Sequence, residues 1–262
     1  MFDIKSFYEA DSVEDAIAAL TADPQSQVIS GGTDVLIRVR EGKDAGRGLV
    51  SIHNIPELKG VSLEEDGTII IRPATSFSHI TNDPIIKKHL SMLGEAVDQV
   101  GGPQVRNTAT IGGNICNGAT SADSASTMYC ALNATVVLKG PEGVREVPVT
   151  EFYTGPGRTV RKQNEVCTAF KITRENYEGW EGHYIKYGKR RAMEIATLGC
   201  AVRVKLSPDK TVLEDVRLAY GVAAPTPVRC YEAEEALRKP FAGNRCQMRP
   251  YMTCLQIKPC PR

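Results

Sequence analysis

The stretch Ala109-Thr110-Ile111-Gly112-Gly113-Asn114-Ile115-Cys116-Asn117-Gly118, running on to Asp123 and Ser124, holds three glycines, many small and hydroxylated residues and no aromatic. It offers little apolar surface to a core, so its expected use is close approach of backbone. Glycine reaches positive φ without strain, and consecutive backbone N–H groups in such a turn can converge on an anion. A diphosphate is the natural guest. An earlier stretch, Val28-Ile29-Ser30-Gly31-Gly32-Thr33-Asp34-Val35, repeats the design: an apolar run ends in a glycine pair, and a hydroxyl residue opens a helix. Two such loops can grip one phosphate pair from two sides.

The remainder bounds what kind of protein carries these loops. A chain of 262 residues has room for two domains. Its 32 Lys+Arg balance 31 Asp+Glu, a net charge of +1, which supplies no global field for nucleic acid or an acidic membrane. The N-terminus, Met1-Phe2-Asp3-Ile4-Lys5, lacks the basic and apolar regions of a signal peptide. No apolar run approaches the roughly 20 residues that span a bilayer, and a cytoplasmic location is the expectation. The eight cysteines form no Cys-x-x-Cys pair and match neither zinc nor ferredoxin spacing, so most read as reduced core fillers.

Local patterns predict an α+β chain. Ser12-Val13-Glu14-Asp15 opens a short helix with a capping-box-like start. Val28-Ile29 and Leu49–Ile52 read as strands on either side of the first glycine loop and a helix ending near Gly42. Gly60–Leu63 and Thr68–Ile71 form a hairpin across Asp66-Gly67. Apolar residues from Ile85 to Val100 recur at helical spacing, Gly101-Gly102-Pro103 stops that helix, and Gln104–Asn107 leads into the second glycine stretch. A hairpin across Gly140–Gly143, a stiff turn at Thr154–Arg158 and a strand over Glu165–Ile172 follow. Past a polar gap from Thr173 to Gly182 come three strands and a helix from Tyr231. The last stretch, Phe241–Arg262, with Cys246, Cys254 and Cys260, shows no regular pattern.

Five motifs in this order resemble one family. They are Ser30-Gly31-Gly32-Thr33-Asp34; Thr110-Ile111-Gly112-Gly113-Asn114 with Asn117 and Asp123; Thr154-Gly155-Pro156-Gly157; Lys186-Tyr187 with Arg190 and Ile195-Ala196; and Gly221–Pro227. Together they are similar to the FAD-binding subunits of the molybdenum-containing hydroxylases, nearest the xanthine dehydrogenase branch, over Met1 to about Leu237. The resemblance implies a PCMH-type FAD-binding domain over 1–176, with subdomains about 1–56 and 57–176, and a small antiparallel-sheet domain over 177–262. It further implies an FAD diphosphate clamped by residues 28–34 and 110–114. Asp123 would contact a ribityl or adenosine hydroxyl, Val166 the adenine side, and Lys186 the flavin or diphosphate. Partner subunits would carry a molybdenum cofactor and 2Fe-2S clusters, and NAD would accept the electrons, making the complex an oxidoreductase. The tail after about residue 238 departs from the family's longer helical ending and reads as altered or truncated.

Plainer roles compete for the same residues. Asp34 reads first as a helix cap, because a carboxylate beside a diphosphate is repulsive. Asp123 could also cap a helix running through Tyr129, Lys186 could lie on a solvated strand face, and Tyr184 and Tyr187 read as packing before flavin stacking. A related nicotinate, carbon monoxide or aldehyde dehydrogenase shares the design. A scaffold chain without flavin is the non-enzymatic alternative. No Walker-type or Gly-x-Gly-x-x-Gly motif supports a phosphotransferase or a nicotinamide-only dehydrogenase.

Overall fold

The computed structural model describes residues 2–190, 192–209 and 212–238. The first unit is built from β1 (Ile4–Glu9), α1 (Val13–Ala22), β2 (Gln27–Ile29), α2 (Val35–Arg40) and β3 (Arg47–Ser51), with a parallel sheet in the order β1-β3-β2. Ser12 caps α1 by accepting the Asp15 N–H at 3.1 Å, as the capping start predicts. Strand β1 leaves no mark on the sequence pattern, because Lys5 to Glu9 are all exposed and period-2 burial never appears.

The central unit opens with the expected hairpin, β4 (Val61–Leu63) and β5 (Ile69–Ile71). Six helices follow: α3 (Phe77–Asn82), α4 (Pro84–His89), α5 (Ser91–Asp98), α6 (Pro103–Thr108), α7 (Ile111–Asn117) and α8 (Ser124–Ala131). Then come β6 (Thr135–Gly140), β7 (Gly143–Pro148), α9 (Val149–Phe152), the small hairpin β8 (Tyr153–Gly155) and β9 (Arg158–Thr159), and β10 (Val166–Ile172). The resulting antiparallel sheet runs β4-β5-β10-β6-β7. Its apolar face shares one core with the helices, where Tyr129 meets Phe170 edge to face at 5.1 Å. Cys130 and Cys167 lie in that core as free thiols, Cys130 pushed up to about 12 by burial.

Three expectations are corrected here. The helical run from Ile85 to Val100 breaks at Leu90, whose φ of -137° and ψ of 38° separate α4 from α5. Gln104–Asn107 is itself helical, as part of α6, with Pro103 in the first turn where its missing N–H costs little. Most consequentially, residues 109–124 are not a loop indifferent to the core. Ile111 and Ile115 are fully buried, and α8 is buried along its whole length. Small side chains suit a helix surrounded on all sides, because they let neighbours approach its axis.

The third unit is the antiparallel sheet β11 (Trp180–Tyr187), β12 (Leu198–Leu206), β13 (Leu213–Gly221) and β14 (Val228–Arg229), followed by α10 (Tyr231–Arg238). The fold is thus α+β with a small antiparallel sheet toward its C-terminal end. No described helix is long and apolar enough to cross a membrane. The irregular reading of Phe241–Arg262 lies outside the described residues.

Helix α10 is anchored by Glu234, which is fully buried. Its carboxylate accepts Arg229 Nε and Nη2, each at 2.7 Å, and the Leu218 N–H at 2.8 Å. Burial pushes this carboxyl upward, but those hydrogen bonds outweigh it and hold it below the usual glutamate value. A depressed carboxylate contributes stability above its unfolded pKa and loses it as pH falls through the folded one. Glu234→Gln is expected to cost about 3 kcal/mol at neutral pH by stranding a buried guanidinium, and to make the loss of stability in acid shallower. Denaturant unfolding across pH measures both, and a variant as stable as its parent at neutral pH contradicts the assignment.

Candidate dinucleotide cofactor site

Val28 and Ile29 belong to β2 and deliver the chain to the first glycine loop, Ser30 to Asp34, ahead of α2. A Cβ on Gly31 would stand 2.1 Å from the Thr108 carbonyl oxygen, so only glycine lets this loop seat against the end of α6. Gly32 has φ +70°, where glycine is at ease. Among the described residues, the backbone N–H groups of Ser30, Gly31, Gly32, Thr33 and Asp34 donate to nothing. A row of unspent donors in one tight turn is an anion-binding concavity.

The second stretch contributes differently from the expectation. Thr110 caps α7 by accepting the Gly113 N–H at 3.1 Å, Ile111 N–H goes to the Thr75 carbonyl, Gly112 N–H to Pro73 and Asn114 N–H to the Thr110 carbonyl. All four first-turn donors are spent within the chain, so the open donors lie in the first loop. Gly112 serves packing, since a Cβ there would be 2.4 Å from Pro73 Cβ. Gly113 alone is open, with only Thr110 Oγ1 nearby, at 3.1 Å. The two stretches are laced together: Thr110 Oγ1 donates to Ser30 Oγ at 3.4 Å, and Asn117 Nδ2 donates to Asp34 Oδ2 at 2.9 Å. Asp34 stands at the N-cap of α2 but makes no capping bond, which corrects the cap reading. Its charge is turned toward Asn117 instead.

Beyond α7, Gly118 is left-handed and Asn114 Nδ2 ties the turn to the Ala122 carbonyl at 2.6 Å. Asp123 follows with φ +66° and does not cap α8 either. Its Oδ2 pairs with Lys186 Nζ at 2.7 Å, both side chains being about nine-tenths buried. Burial pushes the Asp123 carboxyl upward and outweighs the ammonium beside it. Lys186 also donates to the Gln99 and Glu194 carbonyls, at 2.8 and 2.7 Å, which uses all three of its protons and rules out the solvated-face reading. Val166 is buried with its side chain in the core shared by α1 and β3, so any adenine-side contact falls to its backbone. Tyr187 is exposed.

Five buried polar atoms in this neighbourhood have no partner among the described residues: Asn114 Oδ1, Asp123 Oδ1, Ser124 Oγ, Thr127 Oγ1 and Tyr184 OH. Each would cost about 1–3 kcal/mol if left unmatched, so the cluster fits a guest rich in donors and acceptors. Gly199 and Gly221, paired across β12 and β13, form part of its floor. A Cβ on Gly199 would lie 2.6 Å from Tyr184 OH, and one on Gly221 2.2 Å from Thr127 Oγ1. Ser124, Thr127 and Tyr184 are candidates that sequence reasoning did not single out for the site. The available signals were slight: Ser124 and Thr127 stand three positions apart on one helix face, and Tyr184 and Lys186 two positions apart on one strand face.

A side chain at residue 113 would project into the space the laced loops leave open. Gly113→Val is expected to abolish dinucleotide binding while preserving the far-ultraviolet circular dichroism, and a variant that keeps stoichiometric flavin after gel filtration would sink this role. Lys186→Ala leaves the Asp123 carboxylate buried without its ammonium. It should weaken flavin affinity by about 1–3 kcal/mol, read by fluorescence titration; unchanged affinity would reduce the pair to a packing feature.

The sequence profile of the FAD binding domain in molybdopterin dehydrogenase matches residues 2–174, and that of the CO dehydrogenase flavoprotein C-terminal domain matches residues 183–241. The xanthine dehydrogenase FAD-binding subunit of Escherichia coli O157:H7 is 45% identical over 235 residues, covering 90% of this chain and 80% of that protein. The nicotinate dehydrogenase FAD-subunit of Eubacterium barkeri is 32% identical over 236 residues, covering 88% and 78%. A solved carbon monoxide dehydrogenase from Hydrogenophaga pseudoflava superposes with a TM-score of 0.86 at 29% identity, covering 95% of this chain and 83% of that one. This chain therefore belongs to the FAD-binding subunits of the molybdenum hydroxylase family, with FAD as its cofactor.

Proposed function

We propose that the chain is the electron-transfer subunit of a xanthine dehydrogenase-type complex, working beside a subunit with a molybdenum cofactor and a subunit with 2Fe-2S clusters. Bound FAD supplies the chemistry, since a flavin accepts electrons singly from clusters and passes them as a pair to NAD. The observation that carries this reading is the row of unspent N–H groups at Ser30–Asp34, held against the second glycine stretch by the Thr110–Ser30 and Asn117–Asp34 bonds.

In this reading the chain binds and orients and does not attack substrate. The first loop takes the diphosphate on backbone donors, which add no net charge and leave the Asp34 carboxylate occupied by Asn117. Gly113 gives the approach its clearance. Asp123, Ser124 and Thr127 meet ribityl and ring polar atoms, and Lys186 holds Asp123 in place from β11. The choice of xanthine over nicotinate or carbon monoxide rests on the higher identity to the xanthine dehydrogenase relative.

Anaerobic titration of the FAD-loaded chain with NADH tests the acceptor. The visible flavin band should bleach at about one equivalent of NADH, and a band that NADH leaves intact while dithionite removes it would replace NAD with another acceptor. Co-expression with the two partner subunits should yield xanthine-dependent NAD reduction. A complex that assembles with flavin but turns over only another substrate would reassign the branch.

A further inference from the structure

At the opposite end of α8 from Asp123 lies a cavity of about 300 Å³, bordered by Ser91, Met92, Met128, Trp180 and Arg203, and by one acidic side chain, the exposed Glu181. Arg203 is only 4% exposed, and among the described residues its guanidinium makes one hydrogen bond, to the Asn176 carbonyl. Directly across the β12–β13 ladder is Arg217, 8% exposed, which among the described residues donates only to the Ala131 carbonyl, at 3.4 Å. Both cations lie over Trp180, their Cζ atoms 5.1 and 4.1 Å from its ring centre.

Two buried like charges in one cross-strand pair require compensation, yet among the described residues neither forms an ion pair. Glu234 is committed to Arg229, and Asp215 to Arg238. Burial, together with the charges of Arg217 and Arg229, pulls Arg203 down to about 9, and Arg217 falls to about 10. Arginine carries five N–H donors, so most of those on Arg203 are unspent. A cation–π contact softens the burial of a guanidinium but supplies no countercharge.

The same cavity is bordered by the start of α5. Leu90 occupies the cap position and has no side chain that can cap, and the Ser91 and Met92 N–H groups donate to nothing among the described residues. An uncapped helix start is the positive end of the helix dipole. A buried guanidinium that forms no ion pair among the described residues and an uncapped helix start thus border one space, with the Glu181 carboxylate on its exposed side. We propose that this cavity binds a small oxyanion, phosphate or carboxylate, held by the Arg203 guanidinium and the N–H groups of Ser91 and Met92. It is a second site, built by residues that the dinucleotide does not use.

Trp180 is the only tryptophan in the sequence, so its emission reports on this cavity. The FAD-loaded chain is titrated with inorganic phosphate or acetate against chloride at matched ionic strength, with flavin content followed separately. A saturable change in Trp180 emission and a raised Tm with phosphate or acetate, absent with chloride, are expected, and the stronger of the two anions identifies the headgroup. Arg203→Met should abolish both effects at unchanged flavin content. Arg203→Lys, which keeps the charge but loses the planar fork, should weaken binding about tenfold and carries the test if the Met variant fails to fold. Equal responses to all three anions, no saturable response to any, or full retention in Arg203→Lys and Arg203→Met would overturn the proposal.

Discussion

Only a hydrogen atom fits between residue 31 and the Thr108 carbonyl oxygen, and the seating of the two glycine stretches against each other depends on that clearance. With glycine there, the first loop lies against the end of α6, close enough for Ser30 to reach Thr110 and Asp34 to reach Asn117. The second contact is also electrostatic: the carboxylate nearest the row of N–H donors accepts a neutral amide and is drawn to one side. The glycines of the second stretch divide two tasks. Gly112 allows α7 to press on Pro73, and Gly113 leaves room beside it. A glycine pair therefore reports two separate steric demands, one from the protein's own backbone and one from the space kept open.

Helix α8 carries the other half of the design. Its small residues let the sheet close on it, with Gly221 of β13 meeting Thr127 and Gly199 of β12 making room for Tyr184 of β11, which brings polar atoms of separate elements into one buried space. Desolvation there outweighs the attraction of Lys186, so the Asp123 carboxyl stays raised even with an ammonium at 2.7 Å. A pair of this kind adds little stability by itself. Its value is positional: it fixes one oxygen of Asp123 and leaves the other unmatched.

Local chemistry is what the sequence makes legible. The turn at Gly140–Gly143 and the Asp66-Gly67 hairpin declare themselves, as does the Ser12 cap, because each depends on a few adjacent residues. The two glycine stretches are found, but the partition of their donors is not, since Thr75 and Pro73 take the α7 N–H groups from far along the chain. Strand β1 escapes because a parallel edge strand with exposed side chains has no alternation to show. The burial of Lys186 escapes for the opposite reason: its three acceptors lie on three separate segments, and one lysine on a strand looks like any other.

The bonds that lace the site join residues 80 and 83 positions apart. Closing contacts of such separation costs loop entropy, which the intervening helices and their core contacts must offset. The cradle therefore has no precursor in the N-terminal unit alone: a nascent chain that has emerged only through β3 carries the row of N–H donors but lacks the surface they close against. A ligand that binds only the assembled cradle would draw the folding equilibrium toward it by mass action.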